Sequence, residues 1–230
     1  MVEIRVATSE DVRVLTTLAR AFYDEDGFAT TDAELATNAR LLASARNDDA
    51  AGLARALAEG AAVDSRNRLG ETALLIVLRK NRADMASALL AAGAGVDVAA
   101  INGVTPLMAA AYAGDVAMMR VLLERGANVA AVDRLGKNAI TYAAGEGHTD
   151  AVRLLLAHGV DPNTVYRNDL TALMWAAGYG HADTARALID AGARVDAVDN
   201  RGKSALDMAR EFRHAATVEV LERAARSAPH

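Results

Sequence analysis

Three histidines, His148, His181 and His214, recur at one spacing, as do Asp64, Asp97, Asn163 and Asp196. By residue type these could hold a metal ion or move a proton. Successive members lie 33 residues apart or a multiple of that. Between packed helices such a step spans roughly 8–10 Å, whereas a shared metal needs each ligand at about 2 Å. Neither series makes one site. The histidines read as turn residues between helices, and the acidic column as short polar side chains satisfying a hairpin turn locally. His158 falls at a helix end, where positive charge is mildly favourable, and His230 is terminal. The chain has no cysteine, which excludes thiolate catalysis and disulfides. No serine sits in a nucleophile elbow, and segments such as Asp133-Arg-Leu-Gly136 lack phosphate-loop spacing. These residues imply no active site, no metal and no cofactor: the chain reads as a non-enzyme.

The same period of 33 governs the elements that carry these residues. Gly60, Gly93, Gly126, Gly159 and Gly192 form one unbroken column, and Gly70, Gly103, Gly136 and Gly202 a second that only Asp169 interrupts. Leu74, Leu107, Ile140, Leu173 and Leu206 form a third. Three columns at one strict period define a tandem array.

Each unit predicts two helices. The first is opened by Thr72, Thr105, Thr171 or Ser204 as N-cap. Small residues such as Ala109-Ala-Ala and Trp175-Ala-Ala let a neighbouring helix approach closely. Gly147-His148 and Gly180-His181 turn the chain into a second helix carrying Val152, Leu155 and Leu156. That helix ends at a glycine suited to the left-handed C′ position, and an extended arm such as Ala193-Arg-Val-Asp196 follows. One unit cannot bury both helices, but stacked units can. These residues resemble the ankyrin repeat. The resemblance covers four full units, 67–99, 100–132, 133–165 and 166–198, with partial units at 38–66 and 199–226. It implies an all-α repeat solenoid with short hairpin arms, working as a protein-recognition module or adaptor.

Residues 32–66 are expected to form an N-terminal capping repeat, with a capping box at Thr31-Asp-Ala-Glu34. Its first helix presents Leu35, Leu41 and Leu42 inward and Glu34, Arg40 and Arg46 outward, and Asn47-Asp-Asp49 replaces the Gly-His turn. Residues 199–230 read as a C-terminal cap and tail. There Asp207, Arg210 and Glu222 put charge where inner repeats are apolar.

Ahead of the array, residues 1–31 read as a βα extension. Val2–Val6 alternates as a strand, and Val12, Leu15, Leu18, Ala19 and Phe22 share a helix face. The segment Ile4–Leu35 resembles the first strand and helices of GNAT-type N-acetyltransferases, without that family's acetyl-CoA pyrophosphate loop. This implies an acetyltransferase-derived fusion or remnant, or a graft onto an engineered ankyrin scaffold. An open strand at Val2–Val6 also offers a route to a homodimer.

Hydrophobic residues make up 52% of the chain but aromatic ones only 4%, so the core is built of alanine, leucine and valine. A net charge of −5 argues against general nucleic-acid binding. No apolar run is long enough for a membrane span and no secretory pattern opens the chain, so a cytoplasmic protein is expected.

In ankyrin repeats, partner contacts come from the hairpin tips and exposed first-helix positions. Those positions here include Arg68, Leu69, Ile101, Asn102, Lys137, Glu146, Arg201 and Phe212. The expected partner-binding set is Tyr112, Arg134, Leu135, Tyr142, Arg167, Leu170, Trp175 and Tyr179. Trp175 and Tyr142 occupy equivalent positions, so their rings are expected side by side. Four of the five tyrosines and the only tryptophan fall in units two to four, and Tyr, Trp and Arg dominate binding hot spots. The competing reading has Trp175 and Tyr142 merely covering neighbouring alanines.

Overall fold

The computed structural model describes residues 31–227. The strand at Val2–Val6, the helix after it, the dimer route and nearly all of the acetyltransferase-like segment lie outside the described residues. Within them twelve α-helices follow in pairs. They are α1 Asp32–Arg46 and α2 Ala50–Ala58, α3 Ala73–Arg79 and α4 Ala83–Ala91, α5 Pro106–Ala113 and α6 Val116–Glu124. Then come α7 Ala139–Gly145 and α8 Thr149–Ala157, α9 Ala172–Gly178 and α10 Ala182–Asp190, and α11 Ala205–Glu211 and α12 Ala215–Ser227. Among the described residues, pairing between extended segments is limited to an isolated bridge, Val198 to Ser204.

Local chemistry sets each helix start. Thr31 and Glu34 close the expected capping box. Thr72, Thr105, Thr171 and Ser204 each accept the N3 amide of their helix. Asn138 does the same for α7, a cap the sequence reading passed over because asparagine broke the Thr/Ser column. Leu74, Leu107, Ile140 and Leu173 are fully buried. Leu206, last of that column, is only half-buried, since among the described residues no unit stacks beyond its own. Ala109–Ala111, Ala143, Ala144, Ala176 and Ala177 are buried between neighbouring first helices, which pack more closely than the second helices do. A stack tighter along one row bends toward that row.

Consecutive pairs are also stitched by polar groups. His148 donates its Nε2–H to the Tyr112 carbonyl at 3.0 Å, His181 to Gly145 at 2.9 Å and His214 to Gly178 at 3.0 Å. Each ring lies on a glycine of the preceding unit; a Cβ at Gly147 would come within 2.5 Å of His181 Nδ1. The acidic column behaves differently from the local turn role expected of it. Asp64 accepts the Gly95 amide, Asp97 that of Asn128 and Asn163 that of Arg194, all in the following unit. A short acceptor reaches across because adjacent arms run alongside each other. Ala130 is the member of this column that cannot make the bond.

The ends differ from the middle. Asp48 takes φ 58° in the turn that replaces Gly-His. Hydrogen bonds from Arg82 and then Lys80 hold its carboxyl down to about 2. At the other end Asp207 stands exposed where Leu75, Met108, Thr141 and Met174 are buried. Arg210 pairs with Glu222 at 2.7 Å on the same uncovered side.

Candidate interaction surface

Three of the five hairpins between helix pairs are closed by one side chain at their first position, while Ala100 leaves its hairpin to a backbone bond with Val104 and to Asn102. Asp133 Oδ1 accepts the amides of Leu135 and Lys137, both at 2.8 Å, and its Oδ2 accepts the Tyr142 hydroxyl at 2.7 Å. Burial and then that bond push the Tyr142 phenol far above its ordinary range. Asn67 and Asp199 close their hairpins in the same way. Single backbone bonds then join neighbouring tips: Ile101 to the Leu69 carbonyl at 2.9 Å, Arg134 to Asn102 at 2.9 Å and Asn200 to Asn168 at 3.1 Å. The hairpin at 166–170 departs from this plan. Tyr166 replaces the closing acid, the tip is a 3-10 turn (Arg167–Asp169), and Asn168 and Asp169 both take left-handed φ, 64° and 59°. Among the described residues no backbone bond links this tip to Leu135. Its anchor is the Tyr166 hydroxyl, which accepts Asn138 Nδ2 at 2.7 Å.

The aromatic residues gather on the first-helix side, but not as a row of touching neighbours. Tyr112 meets Tyr142 edge to face at 6.2 Å, and Trp175 stacks on Tyr179 at 6.0 Å. Tyr142 and Trp175 are joined through a cation instead of lying side by side: Lys137 Nζ stands 4.0 Å from the Trp175 ring centroid and 5.4 Å from that of Tyr142. An ammonium on a ring face is held by the ring quadrupole. Sequence reasoning gave no sign of this, since the contact crosses from one unit to the next.

Of the expected set, Tyr112, Leu135 and Tyr179 are exposed, at 46%, 58% and 59%. Arg134 and Arg167 are exposed at the tips, and neither has an ion-pair partner among the described residues. Tyr142, Trp175 and Leu170 are half-buried and pack on the core, so the first two cover their neighbours while keeping part of their rings at the surface. The Trp175 indole N–H is buried without a partner. Phe212, outside the expected set, is as exposed as Leu135 and holds the register of Tyr179 one unit later.

The two sides of the stack differ sharply. Leu69, Ile101, Tyr112, Val132, Leu135, Val165, Tyr179, Val198 and Phe212 are the exposed large hydrophobic residues among those described, and every one lies on a hairpin arm, in a first helix or at its C-cap. The second helices expose alanines and local ion pairs such as Asp150–Arg153 and Asp183–Arg186. On the hairpin side a cavity of about 180 Å³ opens between the Glu71–Arg79 ion pair and the Tyr112–Tyr142 ring pair, floored by Leu75 and Met108. Among the described residues no cluster of acidic and histidine side chains could hold a metal ion, and no helix is long and apolar enough to cross a membrane.

A family model described as Ankyrin repeats (3 copies) matches residues 41–133, 94–166 and 140–226. These matches begin beyond the acetyltransferase-like segment. No curated protein matches the sequence.

Proposed function

Because the chain belongs to the ankyrin-repeat family, whose repeats are in general protein–protein interaction modules, we propose that it binds a protein partner across its first helices and hairpin tips. The observation carrying this reading is the one-sided placement of every exposed large hydrophobic residue described. A surface that water alone had shaped would scatter such residues over both helix rows. Tyr112, Tyr142, Trp175 and Tyr179 form the apolar floor, Leu135 and Leu170 its border, and Arg134 and Arg167 a cationic rim. An apolar centre with a polar rim is the ordinary anatomy of a recognition surface. The net charge of −5 favours a protein over a nucleic acid as partner. The role is that of an adaptor without chemistry of its own.

The test is photo-crosslinking from two positions. A photoreactive phenylalanine at Tyr179 should capture one discrete partner in lysate of the source cells, while the same group at Arg153, on a second helix, should capture none. Leu135→Asp should abolish the product. Equal capture from both positions, or none from Tyr179, would sink the reading.

A further inference from the structure

The hairpin tips carry a second pattern. At one equivalent position the successive units hold Arg68, Ile101, Arg134 and Arg167, all exposed. Among the described residues none of the three guanidiniums is ion-paired. The nearby carboxylates are already committed. Glu71 is engaged by Arg79 and Asn67, and Asp133 by two amides and Tyr142. Asp169 is the one opposing charge left on these tips. A line of unpaired cations in a chain of net charge −5 is a local inversion of the protein's own field.

The spacing of that line selects a conformation for what binds it. Units repeat at roughly 8–10 Å. A β-strand advances about 3.3 Å per residue but turns every second side chain away, so residues three apart face opposite sides. A polyproline II helix advances about 3.1 Å per residue with three residues per turn, so every third side chain returns to one face after about 9.3 Å. Only the latter keeps step with the array. We propose that the tips bind an extended acidic segment of a protein partner in polyproline II conformation, with the pattern Glu-x-x-Leu-x-x-Glu-x-x-Glu. The acids meet Arg68, Arg134 and Arg167, and the leucine lies against Ile101. Guanidinium forks suit carboxylates because both can engage in two parallel hydrogen bonds. The inference rests on the partner-binding reading above and adds the partner's chemistry to it.

Two fluorescein-labelled peptides, one with this pattern and one with it reversed, test the proposal by anisotropy against the full chain. One of them should bind. Arg134→Glu should weaken that binding about tenfold, and a peptide with Lys opposite position 134 should restore it, which a merely structural arginine could not do. Asp169→Asn, which keeps a residue tolerant of left-handed φ, should tighten binding about twofold. Binding of neither peptide, no loss with Arg134→Glu, equal binding of a peptide with the same composition but clustered acids, or equal binding of oligouridylate would each overturn it. Failure of both peptides alongside a discrete crosslink from Tyr179 would leave the partner-binding reading standing and remove only this one.

Discussion

The hairpins that begin at Asp133 and at Tyr166 stand on helix pairs whose cores are interchangeable: Ile140, Ala143 and Ala144 in one, Leu173, Ala176 and Ala177 in the other, all buried. Yet the first hairpin is closed by a buried carboxylate and a glycine, and the second by backbone bonds through two left-handed polar residues, with a phenol that reaches back to Asn138. The helix stack is indifferent to how its loops are closed. Cohesion sits in the repeated helices and variation in the tips, where a recognition surface can change while the helix pairs keep their form.

The largest effect belongs to the stack. Leu155→Ala, a fully buried truncation in α8, should lower stability by about 2–5 kcal/mol in urea melts. If it cost less than any hairpin substitution, the division between stack and tips would collapse. Asp133→Ala should come next. It leaves two amides and the Tyr142 hydroxyl without their acceptor, at about 1 kcal/mol each, so a loss of about 2–3 kcal/mol is expected. Tyr166→Phe removes one hydrogen bond from the other hairpin and should cost about 1 kcal/mol. A loss as large as that of Asp133→Ala would show the two closures to be equivalent after all. Asp169→Gly should change stability least and in the opposite sense, a gain of about 0.5–1 kcal/mol, since glycine takes φ 59° without strain. A loss on calorimetry would mean that the Asp169 side chain stabilises the tip.

The repeat columns made the helix pairs legible: the buried leucines, the Thr31 capping box and the charged C-terminal face all follow from residue type and period. The same alignment exposed Tyr112, Leu135 and Tyr179, since a column that varies from unit to unit between strict ones is free to face outward. What stayed hidden depends on one unit reaching into the next. The Asp64–Gly95 and Asn163–Arg194 bonds, and the Lys137 ammonium between Tyr142 and Trp175, are set by how far adjacent arms and helices are offset. A one-dimensional pattern carries the period of a stack, not its lateral offset. Leu170 illustrates the limit: its place after the turn predicts a tip residue, but it packs on the core, as Val104 does at the same position of an ordinary hairpin.

The histidine bonds give the array a direction in time. Each of His148, His181 and His214 completes a turn that lies thirty-six residues earlier in the chain. During synthesis, which runs from the N-terminus, a unit that has left the ribosome is therefore still missing a bond and a ring over its turn glycine until the next unit has emerged. Each of these three repeats waits on its successor, so the growing end is the loosest part of the array while they are being made.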